Sequence, residues 1–169
     1  MHNELTKIDI QKMREELDYR RITLRPKLLE EVKIARGFGD LSENFEYKAA
    51  KQEKNRNDSR CRYLENMIKT AVVVEEKPAA AEGTVGLYDK VTLYVEEDGE
   101  EITCRIVTTV RQDALNGRVS KESPVGRAVL GRRVGDRVTV QVNDSYSYDV
   151  VIRAIEPGED TGEAPLVGF

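Results

Sequence analysis

Histidine is almost missing from this 169-residue chain; the single one, His2, sits at the very start. Acid–base or metal chemistry built on imidazole therefore has almost nothing to work with. The two cysteines, Cys61 and Cys104, lie in different segments. That is a weak basis for a disulfide and none for a metal finger. No apolar run approaches the ~18 residues of a membrane span, and no charged-then-apolar leader opens the chain. The expectation is a soluble, cytoplasmic protein. Glycine is scarce in one half only: Gly37 and Gly39 are the two that precede residue 77, and the rest of the twelve follow it.

What is present is charge, 34% of residues against 39% hydrophobic, which suits a protein with much exposed helix. The net charge of −4 hides a local reversal. Between residues 48 and 62 the cations Lys48, Lys51, Lys54, Arg56, Arg60 and Arg62 face only the anions Glu53 and Asp58. Such a stripe is either a solvated helix face or a phosphate-contacting patch. The acidity of the whole chain argues against general duplex binding.

The glycine-poor half reads as helix. Tyr47, Ala50, Lys54, Asn57, Cys61, Leu64, Ile68 and Ala71 advance by alternating threes and fours, a seven-residue repeat with a polar middle. Ile10, Met13, Leu17, Leu24, Leu28, Val32 and Ala35 give a rougher match before Gly37, and Pro26 should kink or interrupt that helix near Thr23–Arg25. Two such stripes flanking a short glycine-containing turn imply an antiparallel helical hairpin, a coiled coil over residues 1–76. The segment 77–83 reads as a linker. From residue 84 to 157 the pattern alternates by twos, with a hairpin turn at Asp98-Gly99 and further strands at 136–142 and 146–155. Pro124 opens a short helix and Gly131 closes it. The second half is a small α+β domain of about four strands and one helix. The tail 158–169 has no periodicity and reads as disordered.

The turn itself reads GFGDLSENFEY, residues 37–47. Asp40 ahead of Leu41-Ser42-Glu43 has the spacing of a capping box, and acids suit the positive end of a helix dipole. Two carboxylates so placed also make half of a site for a hard cation. Mg²⁺ is commonly held by one or two carboxylates, with waters and phosphates completing the shell. A half-site at the end of a long rod makes sense where another molecule supplies the remainder. Local spacing leaves both readings open.

The stretch ARGFGDLSENFEYKAA (35–50), with RPKLLEEV (25–32) upstream and NGRVSKESPVGRAVLGRRVGD (116–136) downstream, resembles the bacterial Gre transcript cleavage factors over roughly residues 5–156. The resemblance implies a coiled-coil hairpin followed by an FKBP-like α+β domain. It implies a monomer that enters the secondary channel of RNA polymerase and stimulates the polymerase's own Mg-dependent cleavage of backtracked RNA 3′ ends, without being an enzyme itself. The alternative is a channel-binding inhibitor without cleavage. The family's tip acids fall on Asp40 and Glu43, which would help hold Mg²⁺ jointly with the polymerase. Leu41, Ser42, Asn44 and Tyr47 would support the tip. Arg36 and Lys51, extended to Arg56 and Arg60, would contact RNA, and Ser123, Pro124 and Gly126 would form the polymerase-binding C-terminal motif. Prolyl isomerase activity does not follow from the fold.

Overall fold

The computed structural model describes residues 3–39, 43–75 and 83–168. The chain divides into two compact units, one of residues 10–71 and one that gathers residues up to Asp9 with 72–168. No helix among the described residues is long and apolar enough to cross a membrane.

The first unit is the helical hairpin. Helix α1 (Lys7–Asp18) runs into a π-helical turn (Tyr19–Leu24) and then α2 (Arg25–Arg36); helix α3 (Phe45–Thr70) forms the other arm. Pro26 acts where its chemistry requires, one turn upstream, but the helix widens instead of breaking. A proline lacks the N–H that would close on the carbonyl four residues back, and its ring crowds that carbonyl. The π turn relieves the conflict, with the Arg25 N–H donating to the Arg20 carbonyl. That carbonyl also accepts from the Asn57 side-chain amide at 3.3 Å. The buried stripe comprises Met13, Leu17, Leu28 and Ala35 on one arm and Asn57, Arg60, Cys61, Leu64 and Met67 on the other. At ~1.5 Å per residue the 26 residues of α3 span roughly 39 Å.

The polar middle of the seam is satisfied internally. Arg20 Nη1 donates to Asn57 Oδ1 (3.0 Å) and Arg20 Nε to Glu16 Oε1 (2.8 Å). Arg60 forks onto the same carboxylate through Nε (2.8 Å) and Nη2 (3.1 Å). Burial alone would push the Glu16 carboxyl up; the hydrogen bonds and charges of Arg60 and Arg20 outweigh it and hold the pKa below its ordinary value.

The second unit is built on a five-stranded sheet. Its strands are β3 (Lys90–Val95), β4 (Glu100–Val107), β5 (Arg118–Ser120), β6 (Arg137–Asn143) and β7 (Tyr146–Glu156). The order is β5-β4-β3-β7-β6, antiparallel except for β4 with β5. The β3–β4 turn falls at Asp98-Gly99, where Gly99 takes φ +69°. Alternation puts Val91, Leu93, Val95, Cys104, Ile106, Val138, Val140, Val150 and Ile152 on one face, packed with Val129 of the short helix α4 (Pro124–Val129). Six to eleven residues of largely alternating pattern explain why four of these strands were legible; β5, three residues long, carries too little pattern to show.

Two expectations are corrected here. The range 1–76 is not all hairpin. Strand β1 (Glu4–Leu5) pairs in parallel with β2 (Val72–Val73), and both belong with the sheet domain. The segment 77–83 lies outside the described residues except for Gly83. Nor is the tail disordered. Asp160 is 6% exposed and ion-paired to Arg111; the Gly158 N–H donates to Asp89 Oδ1 (3.1 Å) and the Val167 N–H to the Val110 carbonyl (2.7 Å). A buried charge pair and backbone bonds anchor what hydrophobic periodicity cannot reveal.

Candidate functional site at the hairpin turn

The turn between α2 and α3 is shaped by Asn44. Its Oδ1 accepts the Tyr47 N–H at 3.0 Å, making it the N-cap of α3, and its Nδ2 donates to the Ala35 carbonyl at 2.6 Å. One side chain thus serves an orphan donor at the start of α3 and a carbonyl at the end of α2 that also accepts the Phe38 N–H. The capping-box reading of Asp40 with Glu43 is therefore corrected. The helix starts at Phe45, Asn44 holds the cap, and Glu43 precedes it as an exposed turn residue. Asp40, Leu41 and Ser42 lie outside the described residues.

Around Glu43 the turn is cationic and aromatic. The Arg36 guanidinium lies 5.5 Å from the centre of the Tyr47 ring and the Lys51 ammonium 5.9 Å. A hydrogen bond from Arg36 leads the causes that hold the Tyr47 phenol below its ordinary pKa, with the charges of Lys51 and Arg36 adding to it. Lys48 stands over Phe45 at 5.6 Å, and Phe38 and Phe45 are 66% and 79% exposed. Among the described residues Glu43 has no ion pair, so its carboxylate is available to an incoming group.

The basic patch divides. Arg36, Lys51 and Arg56 are exposed; Arg56 makes only a long ion pair to Glu53 at 3.7 Å. Arg60 is not on an exposed face: it is 5% exposed, held by Glu16, with its guanidinium 5.1 Å from the Tyr63 ring centre. Its place three residues after Asn57 and four before Leu64 puts it beside the seam, a position its charge concealed.

In the sheet domain, Ser123 is the N-cap of α4, its Oγ accepting the Gly126 N–H at 3.0 Å. Pro124 occupies the first turn, where its missing N–H costs nothing. Gly126 passes so close to the Ser120 carbonyl that an added Cβ would lie 2.2 Å from its oxygen. Asn44 is among the residues expected to support the tip, but its role as the cap of α3 and the Glu16–Arg60 fork went unseen in the sequence; an asparagine just before a helical run was the available signal for the cap.

These features define a helical hairpin joined to a small sheet domain, with exposed charged and aromatic side chains around the hairpin turn. Residues 3–73 match the family described as "Transcription elongation factor, N-terminal" and residues 80–157 the one described as "Transcription elongation factor, GreA/GreB, C-term". The chain is 47% identical over 137 residues to transcription elongation factor GreA of Geobacillus kaustophilus, covering 81% of this chain and 86% of that one. Against GreA of Clostridium beijerinckii it is 41% identical over 138 residues, covering 82% and 86%. Among solved structures, the GreA factor homolog Gfh1 of Thermus thermophilus is 27% identical over 91% of this chain and 98% of that one, at a TM-score of 0.40. The chain belongs to the GreA/GreB family of transcription elongation factors.

Proposed function

We propose that the protein acts on RNA polymerase, as a cytoplasmic monomer that enters the secondary channel and stimulates the polymerase's own cleavage of backtracked RNA. The observation that carries this is the exposed Glu43, without an ion pair among the described residues, on a turn flanked by the Arg36–Tyr47–Lys51 cluster. A carboxylate and cations displayed together suit a reaction on a phosphodiester held by another molecule.

The chain offers no closed metal cage: no three His, Cys, Asp or Glu side chains gather into one among the described residues. Asp40 and Glu43 fit an ion that needs only one or two protein carboxylates, and Mg²⁺ is such an ion. Bound jointly with the polymerase, Mg²⁺ would supply charge neutralisation at the phosphate and a more acidic water. Asp40 and Glu43 hold and orient on one side; Arg36 and Lys51, with Arg56 further along α3, attract the RNA backbone. Asn44 fixes the turn that presents them. Docking of the sheet domain on polymerase through the segment around Ser123, Pro124 and Gly126 belongs to the same proposal; the exposed Pro124 and Arg127 are its accessible groups.

The test is fragment release from stalled, backtracked elongation complexes in Mg²⁺. Asp40→Ala with Glu43→Ala should lower the cleavage rate by about a hundredfold or more, the scale of a lost electrostatic group, while co-sedimentation with polymerase persists. Cleavage at the parental rate by the double variant refutes the tip assignment. Slowed nucleotide addition without fragments, from the parent protein, identifies a channel-binding inhibitor instead.

A further inference from the structure

The sheet domain holds a cavity of about 410 Å³ that the hairpin function does not use. Its floor is an unusual row. In register across three neighbouring strands, Lys90 of β3 faces Arg105 of β4, and Arg105 faces Arg118 of β5. Like charges directly opposite one another destabilise a sheet. Among the described residues neither Lys90 nor Arg105 has an ion pair. Arg118 donates through Nη2 to Asp113 at 3.0 Å, but its buried Nε has no hydrogen-bond partner there. At ~4.8 Å per strand spacing the row extends roughly 10 Å, long enough to meet more than one phosphate.

The C-terminal segment adds Glu159 and Glu163 to the lining, and among the described residues neither has an ion pair to the row. Tyr88 completes the wall. It is 3% exposed, and its backbone sits at φ +66°, a strained setting for a bulky residue. Burial first, then the charge of Asp9, raises the phenol pKa well above its usual range and keeps it a proton donor.

A lining that combines the Lys90–Arg105–Arg118 row with the carboxylates of Glu159 and Glu163 suits a ligand with an anionic end and a hydroxyl-bearing end. Arginine forks match phosphate oxygens, and carboxylates accept from ribose hydroxyls. The volume falls within the ~300–1,000 Å³ of small-molecule sites. We propose that this cavity binds a nucleoside diphosphate, its phosphates along Lys90, Arg105 and Arg118 and its ribose toward Glu159 and Glu163. An inorganic polyphosphate would leave the two carboxylates facing like charge.

The experiment is calorimetric titration of the purified full chain with ADP and with GDP in the absence of divalent ions, with inorganic pyrophosphate as the arm lacking ribose. One-site saturable binding is expected, weakened about tenfold or more in Lys90→Ala/Arg105→Ala, both exposed positions that tolerate truncation. Glu159→Gln/Glu163→Gln should weaken ADP and GDP but leave pyrophosphate unchanged or tighter. Amide shifts in the parent protein should map to residues 103–105, 116–118 and 159–165. No saturation by about 1 mM nucleotide, equal affinity for pyrophosphate, unchanged binding in the Lys90/Arg105 variant, or shifts centred elsewhere would each overturn the proposal. Tighter binding of a short single-stranded oligoribonucleotide at the same residues would overturn it in favour of an RNA surface.

Discussion

The guanidinium of Arg111 forks across the Asp160 carboxylate, Nη1 donating to Oδ2 at 3.0 Å and Nη2 to Oδ1 at 2.9 Å. The same Nη1 donates to Asp9 Oδ1 at 3.1 Å. Asp9 in turn accepts the Thr108 hydroxyl (2.7 Å) and the Thr6 N–H (2.9 Å), while its own N–H donates to Thr6 Oγ1 (3.1 Å). The last two bonds are a reciprocal cap at the start of α1. One cation therefore ties together the N-terminal cap, the body of the sheet domain and the tail, with Arg111 and Asp9 both fully buried.

Removing that cation should be expensive. Arg111→Met would leave two carboxylates buried with no counter-charge, and breaking one side of a buried pair costs about 3–5 kcal/mol. Urea denaturation of the full chain, followed by a probe in the sheet domain, should show a loss of that order. Thr108→Val removes one hydrogen bond to Asp9 and should cost about 1–3 kcal/mol. An Arg111 variant no less stable than the Thr108 one would mean that the cluster contributes little.

Asn44→Ala should loosen the hairpin turn without touching the sheet domain. Loss of an asparagine cap costs about 0.5–2 kcal/mol, and here the Ala35 carbonyl also loses a donor, keeping the Phe38 N–H. Hydrogen exchange should quicken at Phe45–Lys48 and at the end of α2, with amides of β3 and β7 unchanged. Cleavage stimulation should fall because the displayed groups are less well positioned; a variant with parental activity would show that the cap does not serve the tip.

Glu16 makes the hairpin acid-sensitive. Its folded pKa lies below the ordinary 4.5, through Arg60 and Arg20 acting against the opposing effect of burial. A depressed carboxylate pKa contributes stability that is fully present above the unfolded value and fades as pH falls through the folded one. Hairpin stability should therefore hold from neutral pH down to about 4.5 and decline below it. Glu16→Gln should flatten that decline while lowering stability at pH 7. An unaltered acid profile in Glu16→Gln would assign the sensitivity to other carboxylates.

How far these features were legible depended on how local their causes were. The hairpin arms announced themselves through three-and-four spacing over many turns, and Pro26 marked the site of the π turn because its missing N–H acts on a carbonyl four residues away. The cap was misplaced because Asp40 and Asn44 are both good capping residues, and spacing alone cannot show which one the chain wraps around. Arg60 looked like a surface cation because its partner, Glu16, lies forty-four positions earlier. The order in the tail was invisible for the same reason: its anchor is a single charge pair spanning forty-nine positions.

Cys104 should be inert as a thiol. It is 7% exposed, and burial pushes its pKa up to about 11. The thiolate is the reactive form, so at pH 8 only a minute fraction of the group can react. A thiol reagent should modify the native chain slowly at Cys104 and rapidly in urea, with the protected rate following global opening of the sheet domain. Rapid native labelling at this position would mean that β4 opens locally.

Ending the chain at Pro157 tests what the tail contributes. The truncated protein keeps every residue matched to the family but loses Asp160, so Arg111 retains Asp9 as its acidic partner. The loss should be smaller than in Arg111→Met, because the remaining pair is still neutral overall and water can reach the exposed side of the guanidinium. The domain should melt several degrees lower, as a loss of 1–2 kcal/mol would give in a domain of roughly this size. Gly158→Ala offers an independent route to the same state. An added Cβ would lie 2.1 Å from the Tyr88 carbonyl oxygen, against backbone that cannot give way cheaply. If the segment is held as described, both variants should lower the melting temperature and expose Tyr88 to solvent, read by its fluorescence quenching. A truncated chain as stable as the parent would show that the Arg111–Asp9 pair suffices and that the tail rests on the domain without supporting it.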